Sequence, residues 1–260
     1  MKLNLIYNKF IPNYQNSLEV IEKELISYNI DFKTQELSGM ENYGDFTFVI
    51  GGDGTLLRCA KYYSEYETPV MGINTGRLGF LSQSGTDEIK SVIEAVLENR
   101  YGVQNRMMLK SNEYKALNDF VIKGCISGRT SGFYLEINNK FVCDYVADGI
   151  IISTPTGSTA YGLSAGGPVL SPDMDAIVIV PICPHTLNAR PIVVPSGETI
   201  SVKTSDELLS VCIDGFVTTK CVDKVVIKKY EKKAKLAFLD NNNFYTVLRD
   251  KLHWGISPEK

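Results

Sequence analysis

A carboxylate set among glycines is the first place where this sequence could do chemistry: Asp53, in Gly51-Gly52-Asp53-Gly54. Glycines let backbone come close to a phosphate, and a helix N-terminus offers unpaired N–H groups to an anion. Asp53 itself would repel that anion. It must therefore accept a proton, ligate a metal or hold a hydroxyl, or else serve as the N-cap of the helix that follows. A second candidate is Asn74-Thr75-Gly76-Arg77-Leu78-Gly79-Phe80-Leu81. Arg77 can reach phosphates or lie solvated on the surface, while Leu78, Phe80 and Leu81 read as packing for the loop.

The third candidate is the run TPTGSTAYGLSAGGP over residues 154–168. Small hydroxyl residues and open backbone can read a base and a ribose by hydrogen bonding, and Tyr161 adds an aromatic face or a phenol. Tyr161, Leu163 and the prolines are poor residues for a flexible linker, which is the alternative reading. Asn118-Asp119 and Asp148 flank this run, and a carboxylate can accept from two neighbouring sugar hydroxyls at once. Each equally suits the cap of a turn. His185 and His253 are too isolated for a metal cluster or a Ser-His-Asp triad, and His185 reads as structural.

These residues need elements to position them. Over residues 1–100 the pattern alternates strand and helix. Strands are predicted at 2–7, 46–50 and 69–73, and helices at 17–28 (Val20, Ile21, Leu25), 55–63 and 88–98 (Ile89, Val92, Ile93, Val96, Leu97). Short strands separated by single helices imply a parallel sheet, and the first two candidates then sit at neighbouring strand ends, where open α/β sheets bind ligands. From residue 101 the texture becomes strands with turn signals, at 114–122, 133–137, 141–147, 149–153, 177–180, 192–194, 199–203, 209–213 and 224–229, a mostly β and sandwich-like half. Residues 244–254 return to helical spacing. The expected division is an α/β nucleotide-binding domain over 1–100, with 236–260 packing back onto it, and a β-rich domain over 101–235.

A net charge of −3 provides no global field to attract nucleic acid, so an anionic ligand must be held locally. The basic cluster at 228–235 reads as a solvated edge or turn. No segment approaches the ~18 apolar residues of a membrane span, and the N-terminus lacks a cleavage signal, so a cytoplasmic protein is expected. The six cysteines form no CxxC pair and are expected reduced and mostly buried.

Taken together, these residues resemble the NAD kinase family. The resemblance rests on Gly51-Gly52-Asp53-Gly54-Thr55-Leu56-Leu57, the 74–81 loop, Leu117-Asn118-Asp119, Asp148-Gly149, the 154–168 run, Asn188-Ala189-Arg190-Pro191 and the tail at 247–255. It spans the chain from about residue 46. The glycine turn alone is shared with diacylglycerol, sphingosine and phosphofructokinase-type enzymes, whereas the 74–81 and 154–168 segments are more specific.

The resemblance implies a Rossmann-like N-terminal domain and a β-rich C-terminal domain, an NAD kinase/diacylglycerol kinase-like fold with NAD held between them. It further implies transfer of the γ-phosphate of ATP to the 2′-hydroxyl of the adenosine ribose, giving NADP, with Mg²⁺ arriving on ATP rather than at a dedicated protein site. Asp53 would be the general base, Gly51, Gly52 and Gly54 would line the glycine turn, and Arg58 would lie close to the dinucleotide. Asn118, Asp119, Asp148, Thr156, Thr159, Ala160, Tyr161 and Ser164 would hold adenosine, and Arg129 falls at a basic position used by some members. Members are usually homodimers or homotetramers whose neighbouring subunits complete the site.

Three positions depart from the family pattern: Asp119 stands where many members have Glu, Val146 where many have Arg, and Phe216 where Gln is common. The competing readings are a lipid or sugar kinase sharing the glycine turn, and a non-catalytic NAD(P)-binding sensor. The polar 154–168 run argues against a lipid channel, and a carboxylate facing phosphate has no use in a sensor.

Overall fold

The computed structural model describes all residues except 76–78, 82–83, 126–129, 186–187, 205–207, 219–221, 240–242 and 256–260. The chain forms two compact units, Met1–Asn105 together with Ala234–Lys260, and Arg106–Lys233.

The first unit begins with β1 (Lys2–Tyr7), α1 (Tyr14–Ser27), β2 (Asp31–Glu36), β3 (Phe46–Ile50), α2 (Asp53–Tyr63), β4 (Val70–Asn74), β5 (Ser84–Gly85), α3 (Ile89–Leu97) and β6 (Tyr101–Arg106). Strands β2, β1, β3 and β4 lie side by side in that order and all run parallel. Every residue of β3 and β4 is buried, as continuous apolar runs in the middle of a parallel sheet require. Leu3, Leu5, Phe48, Ile50 and Ile73 meet Ile21 and Leu25 of α1 and Ile89, Val92, Ile93 and Val96 of α3 in one core. Val20 and Leu97, expected on the inner faces of these helices, are exposed. The unpredicted strands β2 and β6 are the polar edges of the sheet, where one covered face is enough and the apolar signal is weak.

Buried Asn4 ties β1 to the segment entering β3. Its Oδ1 accepts the N–H groups of Tyr43 (2.8 Å) and Gly44 (3.2 Å), and its Nδ2 donates to Thr47 Oγ1 (3.1 Å) and the Phe46 carbonyl (3.3 Å). Ile50 pairs with Ile73, and the Gly51 N–H donates to the Ile73 carbonyl at 3.0 Å. The glycine turn and the 74–81 peptide thus leave the same edge of the sheet.

The second unit holds β7 (Leu109–Ser111), β8 (Tyr114–Ala116), β9 (Asp119–Gly124), β10 (Ser131–Ile137), β11 (Lys140–Ala147), β12 (Gly149–Ser153), the short helix α4 (Tyr161–Ser164), β13 (Ala176–Ile182), β14 (Ile192–Pro195), β15 (Ile200–Thr204), β16 (Leu209–Ile213), β17 (Val217–Thr218) and β18 (Lys224–Lys229). Two antiparallel sheets form a sandwich, ordered β11-β10-β15-β18-β7-β8 and β14-β13-β12-β9-β16-β17. Phe120, Phe133, Leu135, Ile150, Ile152, Ile177, Ile179 and Val202 fill the space between them. The second sheet is covered on its other face too, where Val121, Ile151, Val178 and Val180 pack with Leu170. That explains why β12 and β13 are apolar at nearly every position. The strand predicted at 114–122 is broken at Leu117-Asn118 into β8 and β9, and this break is the centre of the site described below.

The chain then returns to the first unit as β19 (Ala234–Leu239), parallel to β4 through Leu236 and Val70, followed by α5 (Phe244–Leu252) with Leu248 buried. Cys59, Cys143, Cys183 and Cys212 are free, while Cys125 is disulfide-bonded, contrary to the expectation that all are reduced. Among the described free thiols only Cys59 is buried. Among the described residues no helix is long and apolar enough to cross a membrane.

Replacing Asn4 by Ala leaves the Tyr43 and Gly44 N–H groups without their acceptor, at about 1–3 kcal/mol for each buried group left unpaired. Urea unfolding of Asn4→Ala is expected to show a correspondingly lower midpoint, and an unchanged midpoint would remove this tie from the account.

Candidate active site

Asp53 opens α2, but it is not the helix cap. Gly52 occupies that position and no side chain caps the helix. The Asp53 carboxylate turns instead toward the end of the neighbouring loop. Its Oδ2 accepts the Phe80 N–H at 2.7 Å and its Oδ1 accepts the Leu81 N–H at 3.1 Å. The loop approaches so closely that a Cβ placed on Gly79 would stand 2.6 Å from Oδ2 and closer still to Oδ1 and Cγ. Leu81 is buried and anchors this end of the loop, as its apolar character predicted. Arg77 and Leu78 lie outside the described residues. Arg58 is exposed one turn after Gly54, on the same side of α2.

In the second unit the break between β8 and β9 is held by Asp214, a buried carboxylate that sequence reasoning did not single out. Its Oδ1 accepts the N–H groups of Asn118 (2.8 Å) and Asp119 (3.1 Å), and its Oδ2 accepts that of Leu117 (3.1 Å). The Asp214 N–H donates in turn to the Asp119 carbonyl at 3.0 Å. Asp214 and Gly215 have φ of 49° and 75°, the left-handed turn that lets a carboxylate fold back over its own strand end. The Asp-Gly pair after an apolar strand was the available signal for it.

The carbonyls of the same break are met from the other side by the start of the 154–168 run. Thr154 Oγ1 donates to the Leu117 carbonyl at 2.6 Å, and the Thr154 N–H and Ser153 Oγ donate to the Asn118 carbonyl at 2.8 and 3.2 Å. Gly157 is required here, since a Cβ would lie 2.6 Å from Ser153 Oγ and closer to the Asn118 carbonyl. Buried Ser158 donates to the Pro155 carbonyl at 2.7 Å and accepts the Leu170 N–H at 2.9 Å, closing the run over the sheet.

Between these segments lies a cleft of about 500 Å³, lined by Asn118, Asp119, Ala160, Tyr161, Asp214 and Gly215, together with Val121, Lys123, Ser210 and Cys212. That is a volume typical of small-molecule sites. Four of the expected adenosine residues therefore meet in one place. Asn118 is half-buried and Tyr161 is 41% exposed, so both present polar or aromatic surface to the cleft, while Asp119 is nearly covered.

Others of the expected set do not line it. Thr156 is buried, and its hydroxyl accepts Arg106 Nη1 at 3.3 Å. Burial pushes that guanidinium down to about 10, against an opposing pull from Asp173. Thr159 donates to the Thr156 carbonyl at 3.4 Å, and Ser164 is exposed at the end of α4. Asp148 is exposed before β12, at the opposite end of that strand from Thr154, with its N–H donating to the Ile182 carbonyl. Arg129 lies outside the described residues. His185 is exposed and held through its backbone N–H to the Val146 carbonyl, and both Val146 and Phe216 are exposed.

Both units match known proteins along the chain. The ATP-NAD kinase N-terminal domain matches residues 14–101 and the ATP-NAD kinase C-terminal domain matches residues 117–238. A Pseudomonas putida NAD kinase is 39% identical over 251 residues, covering 91% of this chain and 84% of that protein. One from Sulfurimonas denitrificans is 35% identical over 276 residues, covering 98% and 97%. Among solved structures, an Archaeoglobus fulgidus NAD kinase in complex with ATP superposes with a TM-score of 0.79 at 25% identity, covering 97% of this chain and 99% of that one. Yeast NADH kinase complexed with NADH shares the fold at a TM-score of 0.84 and 24% identity, covering 99% and 89%. With both domain matches and two full-length relatives of this identity in hand, the chain belongs to the NAD kinase family.

Proposed function

We propose that Asp53 is the general base in phosphorylation of NAD by ATP, the reaction of this family, and that the cleft at Asn118 and Tyr161 receives the adenosine of NAD. The observation that carries this reading is the Asp53 carboxylate. It stands at a helix N-terminus in a glycine turn, yet it does not cap that helix and is oriented by the Phe80 and Leu81 N–H groups. A carboxylate fixed there without a capping duty suits a proton acceptor for a hydroxyl.

Gly52 supports a phosphate donor beside it. Its φ of −85° and ψ of −176° are ordinary for any residue, and a Cβ there would meet nothing within 4 Å. Neither conformation nor packing demands glycine, and the remaining use is room for backbone to approach a triphosphate. In the transfer, the ribose 2′-oxygen forms a bond to the γ-phosphorus as the bond to the ADP oxygen breaks, and its proton passes to Asp53. A ribose hydroxyl is a poor nucleophile at neutral pH, so a base that takes the proton late and a fixed line of attack supply the acceleration.

A divalent cation would arrive with the nucleotide, as the triphosphate donor of this family implies. When bound, it neutralises phosphate charge. Asn118 and the Tyr161 ring would read the adenosine, and Arg58 would balance dinucleotide phosphate charge. The place of Asp148, at the far end of β12 from Thr154, favours a homo-oligomer in which it serves a site completed by a second copy.

Asp53→Asn is expected to lower kcat for NADP formation by about 10²–10⁴-fold, the usual contribution of a general base, and to leave NAD affinity by calorimetry unchanged. Normal turnover in this variant would end the assignment. Gly52→Ala should raise KM for ATP several-fold with no loss of thermal stability. For Asp214→Ala, three N–H groups at the break lose their acceptor, at about 1–3 kcal/mol each where buried. KM for NAD should then rise more than KM for ATP, and an unchanged KM for NAD would move the adenosine site elsewhere.

A further inference from the structure

Gly79 is separated from Asp53 by 25 residues of sequence, yet the carboxylate occupies the space where a side chain at 79 would begin. The two residues that follow it donate their N–H groups to the two carboxylate oxygens, one to each. An aspartate χ2 torsion is broad and nearly two-fold, so an unclamped carboxylate samples many orientations. Hydrogen bonds to an ionised acceptor are the stronger kind, and two consecutive N–H groups fix both oxygens at once. The approach that makes this possible needs a residue with no side chain at 79. Anything larger either rotates the carboxylate or lifts the backbone of residues 79–81 away from it.

We infer that Gly79 is a positioning residue for phosphoryl transfer: its missing side chain lets the backbone of residues 79–81 clamp the Asp53 carboxylate in one orientation. The inference rests on the reading of Asp53 as the base. A misplacement of about 1 Å at a reacting group can cost on the order of 10²-fold in rate, so a methyl group at 79 that displaces the carboxylate acts on kcat. The three atoms nearest the methyl group all belong to the Asp53 carboxylate, so the substitution acts first through Asp53.

The experiment is a double-mutant cycle of Gly79→Ala and Asp53→Ala in the full-length protein, reading kcat and KM for NADP formation and the urea unfolding midpoint. Gly79→Ala alone is expected to lower kcat by about 10²-fold with little change in KM for NAD, and to lower the midpoint. In the Asp53→Ala background the same substitution should cost nothing further in residual turnover or midpoint, since the methyl group enters the space the carboxylate leaves. If Gly79→Ala alone does not fold, a folded double variant supports the clamp, and an unfolded one overturns it. Losses that multiply in rate and add in stability also overturn it. Failure of the base reading is distinct. It would show as normal turnover by Asp53→Asn while the stability coupling between 79 and 53 persists, and the clamp would then stand without its role in transfer.

Discussion

Backbone that leaves a sheet or helix ladder must still pair its N–H and C=O groups, and in each unit of this protein an aspartate side chain meets part of that demand. Asp214 gathers three consecutive N–H groups from Leu117 to Asp119, and Asp53 gathers two, from Phe80 and Leu81. Without Asp214 the break between β8 and β9 would keep only the bonds from Thr154 and Ser153 to its carbonyls, and its three N–H groups would lose this acceptor. Asp53 faces the same demand with an added consequence. The hydrogen bonds that stabilise its loop also fix the orientation of the carboxylate.

The sheets supply the frame that makes such irregular backbone tolerable. In the first unit, β3 and β4 are buried along their whole lengths, and their paired ends release two loops on one edge. In the second, both faces of the β13-β12-β9 sheet are covered, one by the partner sheet and the other with help from Leu170. The polar 154–168 run is consequently not a tether but a lining. Thr154, Ser158 and Gly157 are committed to pairing and close approach, while Ala160 and Tyr161 face the cleft. Within a single motif some residues build the wall and others present it.

Family membership defines the reaction, and the geometry separates residues that build the fold from those that face open space. Thr156 illustrates the division: a threonine in a specific motif invites a ligand role, but here its hydroxyl accepts from buried Arg106. Val146 and Phe216, two of the departures from the pattern expected of the family, are exposed. Nothing in the structure accounts for these two replacements.

Much was legible in the sequence. Periodicity and apolar runs located β1, β3, β4, α2, α3 and most strands of the sandwich, because burial on one or two faces writes itself into spacing. The glycine turn, Asn118-Asp119 and Tyr161 stood out because their residue types are costly to keep without a use. The sequence missed the polar edge strands β2 and β6, where half-exposure weakens the apolar signal, and the break at Leu117-Asn118, which looked like continuous strand. What only the tertiary structure decided was pairing across distance. Asp214 meets Leu117 through Asp119 from about a hundred residues away, Asp53 meets Phe80 and Leu81, and Arg106 meets Thr156. Local sequence fixes which groups need a partner, but the choice among distant partners depends on which strand ends the sheets bring together.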